Sequence, residues 1–128
     1  MIMITGGAYQ GKRQFAIDKL HIRKMINGAD CDISTLSAVE CIYGYHFLVK
    51  RLIDKGIDPI GFTQRFCAEN PDSAVIIDEV GSGIIPMEKE ERQWRENVGR
   101  CGCIIAENSA KVVRMVCGIP MFIKGDAV

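Results

Sequence analysis

The sequence has no excess of charge of either sign: 16 Lys and Arg stand against 16 Asp and Glu. Such a balanced chain has no global field to recruit nucleic acid or an anionic membrane, so neither is an expected partner. No apolar run is long enough to span a bilayer, and no basic segment opens the chain. Membrane insertion and export are therefore not expected, and the cytoplasm is the expected compartment. Internal repeats, low-complexity tracts and linkers are also missing, which leaves residues 1–128 to be read as one domain. Tryptophan occurs once, yet apolar residues reach 48%, enough for one ordinary core. Six cysteines are present but lie scattered among α/β-type segments. They read as reduced thiols rather than a disulfide framework.

Residues 1–4 read as a short buried strand, followed by a glycine turn and a helix over 12–26 that Asn27-Gly28 stops. Residues 30–33 suggest a short second strand. A long helix is expected over 35–55, capped by Ser34 or by a Ser37–Glu40 capping box and ended by Gly56. Its apolar stripe is Val39, Ile42, Tyr43, His46, Val49 and Ile53. Asp58-Pro59 opens a helix reaching Glu69, and Asn70-Pro71-Asp72 is a turn. Residues 74–77 form the best buried strand, with Asp78-Glu79 at its carboxyl end. A helix over 87–108 carries the stripe Trp94, Val98, Cys101 and Ile105. Residues 112–117 and 121–123 are strand-like and separated by Gly118-Ile119-Pro120. Strands alternating with helices predict an α/β fold with a mostly parallel sheet flanked by helices.

Ligands in such sheets sit at the carboxyl ends of the strands. The first candidate there is the loop after the first strand, "TGGAYQGKRQ". Gly6, Gly11 and Lys12 meet the phosphate-loop pattern G-x-x-x-x-G-K-[ST], in which glycines let backbone N–H groups reach phosphate oxygens. Nucleotide contacts are expected from Gly6, Gly7, Ala8, Tyr9, Gln10, Gly11, Lys12 and Arg13. The last position departs from the pattern. Arg13 stands where a Ser or Thr hydroxyl would hold magnesium, and a guanidinium has no lone pair for a cation. The second candidate begins at Asp78 and Glu79, which end their strand as acidic Mg2+ ligands do in phosphate-loop enzymes. With Lys12 they are the candidate catalytic residues.

The stretch "EVGSGIIPMEKEERQWRENVGR" and the later "VCGIPMFIK" make the reading more specific. Together with the opening "TGG" they resemble the adenosylcobinamide kinase/adenosylcobinamide-phosphate guanylyltransferase family. The residues that carry the resemblance are Thr5, Gly6, Gly7, Gly11 and Lys12, then Glu79, Val80, Gly81, Gly83, Ile84 and Pro86. On the following helix come Arg92, Trp94, Arg95, Gly99 and Arg100, with Gly118 and Pro120 beyond it. The resemblance implies a reduced P-loop NTPase-like fold, ATP or GTP as ligand, and a corrinoid as partner. It also implies a kinase step on cobinamide and GMP transfer through a guanylylated histidine. Gly81, Gly83, Arg92, Arg95 and Arg100 become candidates for phosphate or substrate contacts.

The departures bear on both activities. The family's basic, histidine-bearing stretch has no counterpart here, and its "N-Q" pair after "G-R" reads Gly102-Cys103. His21 lies among charges and reads as solvated, while His46 falls on an apolar stripe and reads as a core histidine. Cys101-Gly102-Cys103 is read as helix packing, because the two side chains diverge on a helix. Three roles stay open: a reduced kinase, a paralogue that binds a nucleotide or corrinoid, and a partner-subunit protein. Homo-oligomerisation is open as well.

Overall fold

The computed structural model describes residues 1–80 and 88–128. Among these described residues, eleven elements follow in order. Strand β1 is Ile2–Gly6 and helix α1 is Lys12–Leu20. Strand β2 (Met25–Asn27), a 3-10 turn (Ile33–Thr35) and strand β3 (Cys41–Tyr43) come next. Helices α2 (Tyr45–Asp54) and α3 (Pro59–Glu69) lead to β4 (Ala74–Asp78). Helix α4 (Lys89–Asn108) and the strands β5 (Lys111–Val116) and β6 (Ile119–Lys124) complete the fold.

The strands form one sheet in the order β2-β3-β4-β1-β5-β6, parallel except for β6. Strand side chains alternate between faces, and both faces are buried. Met3, Ile42, Val75, Ile77 and Val112 face one side with Leu48, Phe66, Val98, Cys101 and Ile105 of the helices α2, α3 and α4. Ile4, Cys41, Ala74, Ile76, Val113 and Met115 face the other side with Phe15 and Ala16 of α1. The expected stripe of α4 therefore does pack inward, with Trp94 partly buried beside it.

The six cysteines are free thiols. Burial raises the thiol pKa of Cys67 and Cys101 and pushes that of Cys41 up to about 12. These three act as packing groups, which agrees with the reading of Cys101. Among the described residues no helix is long and apolar enough to cross a membrane.

The stretch between α1 and α3 corrects the sequence reading. The helix expected over 12–26 ends at Leu20, where His21 turns left-handed at φ 56°. Met25 and Ile26 instead pair with Cys41 and Ile42 in the parallel sheet. Residues 30–33 are not a strand. The Asp32 carboxylate accepts from the Ser34 N–H and hydroxyl at 3.0 and 2.7 Å and folds the chain into the 3-10 turn. The long helix over 35–55 is replaced by β3, a left-handed Gly44 (φ 65°) and the shorter α2. Glu40 does not close a capping box: its carboxylate accepts from the N–H groups of Arg23 and Lys24. Cys41 and Ile42 are fully buried between neighbouring strands, and that burial outweighs their helical spacing.

The remaining elements agree closely with expectation. Asp58 caps α3, its carboxylate accepting from Ile60 and Gly61 at 3.1 and 3.2 Å. Ile119 and Pro120 belong to β6 rather than to the turn. The turn is Cys117 and Gly118, both at positive φ, as a two-residue hairpin requires.

Candidate functional site

The ends of β2, β3 and β4 are Asn27, Tyr43 and Asp78. All three line a cavity of about 760 Å³ that also takes in the loop between β1 and α1. The start of α1 (Lys12) and the start of α2 (its cap Gly44, with His46) meet this cavity, which thus faces two helix N-termini. Each terminus adds partial positive charge and free N–H groups, which favour an anion.

The loop's path needs its glycines. Gly6 sits at φ 142°, and a Cβ there would lie 2.5 Å from the Met115 carbonyl oxygen. Gly11 occupies the cap of α1 at φ 89°. Gln10 fastens the loop to the β5–β6 turn: its side-chain oxygen accepts from Cys117 N–H at 2.6 Å, and its carbonyl from Gly118 N–H at 3.1 Å.

Lys12 is buried, at 7% exposure, although a free ammonium would prefer water. Its Nζ donates to the Gly7 carbonyl and lies 2.8 Å from Asp78 Oδ1. An ammonium has three donors, so one of the three is left over from these two contacts. His46 braces the same aspartate. Asp78 N–H donates to His46 Nδ1 at 3.1 Å, so the ring proton resides on Nε2, which is 3.5 Å from Asp78 Oδ2. Trp94 Nε1 donates to the His46 carbonyl at 2.8 Å and ties α4 to this corner. Arg13 lies over the Tyr43 ring, with its guanidinium carbon 4.7 Å from the centroid.

Burial holds the His46 imidazole below its ordinary pKa; nearby Lys12 acts in the same direction and Asp78 against it. The unfolded chain therefore takes up this proton first as the solution is acidified. Stability from this source is full above the ordinary value of about 6.5 and is lost as pH falls through it towards the folded-state value. Denaturant melts with chelator between about pH 8 and pH 5 should show the loss, no steeper than one proton's about 1.4 kcal/mol per pH unit. His46→Gln should flatten that slope. An unchanged slope would assign the acid sensitivity to other groups.

Of the residues expected from sequence, the structure brings Gly11, Lys12, Arg13 and Asp78 together around the cavity, with Ala8, Tyr9 and Gln10 at its rim. Gly6 and Gly7 shape the loop behind them. Glu79 is not among them. Its N–H donates to Gly6 O at 2.9 Å, while its carboxylate holds Arg114 Nε and Nη2 at 2.8 and 3.2 Å. Arg92 is exposed, Arg95 lies 3.4 Å from Glu91, and exposed Arg100 pairs with Glu96 at 2.8 Å. None of the three lines the cavity. Gly81 and Gly83 lie outside the described residues. His21 is exposed at the end of α1.

Sequence reasoning missed the cavity residues Asn27, Tyr43 and His46. A signal was available: "CIYGYH" repeats the strand–glycine–helix order of "IMITGG" and its sequel.

The described residues around the cavity offer few ligands for magnesium. Among the described residues lining the cavity, Asp78 is the one carboxylate and no Ser or Thr hydroxyl is present. Both oxygens of Asp78 already face cationic or N–H groups. Glu79 is committed to Arg114, and no cluster of three His, Cys, Asp or Glu able to hold a metal exists among the described residues.

A mostly parallel sheet, a glycine loop between β1 and α1, and a buried lysine facing the aspartate at the end of the neighbouring strand are consistent with a P-loop-like α/β domain. The cobinamide kinase / cobinamide phosphate guanyltransferase family matches residues 60–123, half of the chain, and the protein belongs to that family. The matched half runs through β4, α4 and the β5–β6 hairpin and so includes Asp78 and Glu79. Membership supports a cobinamide kinase/guanylyltransferase-like role in cobalamin biosynthesis. No curated protein matches the chain.

Proposed function

We propose that the protein binds a nucleoside triphosphate, ATP or GTP, at residues 6–13, with Lys12 against the β- or γ-phosphate. The observation that carries this reading is the placement of Lys12. It is buried at the mouth of the glycine loop, held by Gly7 and Asp78, with a donor left for a ligand in the cavity. Family membership makes cobinamide the natural acceptor for phosphoryl transfer. Turnover should be weak. Phosphoryl transfer draws on magnesium for positioning and charge stabilisation, and Arg13 replaces a hydroxyl ligand of that ion. Lysine and the backbone cradle act on ground-state binding as well, so affinity should suffer less than rate.

Guanylyl transfer is lost on this reading. A histidine nucleophile needs a free ring nitrogen facing the α-phosphate. His21 is exposed away from the cavity, and both ring nitrogens of His46 face Asp78. Calorimetric titration with ATP and GTP tests the binding, and incubation with radiolabelled GTP tests the transfer. Saturable heat and no acid-labile label are expected. Label on the wild type that disappears in His46→Gln would return the transferase to the protein, and flat isotherms with both nucleotides would remove the nucleotide. A corrinoid-binding paralogue, or a partner-subunit protein, would then be the remaining roles.

A further inference from the structure

Resting on the nucleotide reading above, we propose that this site binds polyphosphate without a divalent metal, Arg13 stacked on Tyr43 acting as the second cation beside Lys12. Magnesium demands an oxygen shell in close to octahedral geometry and is commonly held by one or two carboxylates together with substrate phosphates. The described cavity lining offers Asp78 alone, and Lys12 Nζ at 2.8 Å and His46 Nε2 at 3.5 Å face its two oxygens.

Arg13 follows Lys12 directly, so at the start of α1 the chain puts a permanent cation where the sequence pattern asks for a metal-binding hydroxyl. A dication and a guanidinium competing for the same phosphate oxygens repel each other, whereas the guanidinium alone matches those oxygens with paired N–H donors. Arg13 is also prepared for the task. Its planar head rests on the Tyr43 ring at 4.7 Å, at the end of β3 and on the cavity wall, rather than waving in solvent. Preorientation of a long side chain lowers the entropy lost when it grips a ligand. Lys12 and Arg13, with the N-termini of α1 and α2, then supply the positive charge that the metal would otherwise bring.

The test is a titration of the full chain with inorganic triphosphate and with GTP, in magnesium and again in EDTA. The expected result is affinity that agrees within about threefold between the two conditions, since each phosphate contact comes from protein N–H groups. Arg13→Gln should weaken triphosphate about tenfold in both conditions, the scale of one charge-assisted contact. Arg13→Lys should recover part of that loss, because it restores the charge without the fork. Arg13 is exposed, so neither variant disturbs the core. Binding that needs magnesium, or that Arg13→Gln leaves untouched, overturns the metal-free site while leaving the nucleotide reading standing. Absence of binding by the wild type in both conditions overturns the nucleotide reading itself, and this inference with it.

Discussion

Lys12→Ala is expected to weaken triphosphate binding about a hundredfold, which corresponds to about 2.7 kcal/mol and to the loss of a strong charge-assisted contact. The size follows from location. Lys12 is buried where β1 hands over to α1, and it cannot be replaced by a mobile surface cation. Its loss also leaves Asp78 with His46 alone, so the variant places an uncompensated carboxylate beside the phosphates. Both changes act in the same direction. The aspartate will also cost some stability, on the order of 1–3 kcal/mol, for the partner it loses. The titration must therefore be run below the variant's melting transition, with circular dichroism as the check. An affinity within threefold of the wild type in a folded variant would mean that the phosphates lie elsewhere.

Gly6→Ala should destabilise the protein by roughly 3 kcal/mol or more and lower its melting temperature by about 10 °C. Two costs combine. At φ 142° the backbone occupies a region that side chains of L-residues rarely adopt, and the new Cβ would meet the Met115 carbonyl oxygen at 2.5 Å. That oxygen is backbone in β5, paired with β1 on one side and β6 on the other, so it has little freedom to retreat. Gly99→Ala is the control. It lies in α4 with nothing among the described residues within 4 Å of its added Cβ, and replacing a helical glycine there should be neutral or gain about 0.5–1 kcal/mol. Similar melts for Gly6→Ala and the wild type would show that the loop takes another path.

Where local signals and tertiary structure agree, the sequence was readable. Asp58-Pro59 announces α3 with a cap and a helix-compatible proline, and β4 is an uninterrupted buried run ending in acid. Lys12 and Asp78 could be named because each sits at the boundary of such an element. Between residues 21 and 55 the signals conflict. Ile22 and Ile26, and later Val39, Ile42, Tyr43 and His46, happen to fall at helical spacing. The strands β2 and β3 are three residues each, too short to show alternation, and what fixes them is pairing with one another and with β4.

The core reading of His46 agrees with its burial, but its place beside the cavity was hidden for that reason: its helix starts at Tyr45, after a left-handed Gly44, rather than ten residues earlier. Contacts distant in sequence were invisible too. Arg114 draws Glu79 away from the cavity across 35 positions, and Gln10 meets Cys117 across 107. Neither residue carries a local mark of its partner.

The most direct test of the central claim is to map backbone amide shifts while a nucleoside triphosphate is added to the isotopically labelled wild type. The account predicts saturable shifts at Gly7, Tyr9, Gln10, Gly11, Lys12 and Arg13, with smaller ones at Cys117 and Gly118, which Gln10 ties to the loop. It is contradicted if these amides stay still while others move, above all those around the neighbouring cavity of Lys24, Asp30, Thr35 and Glu40.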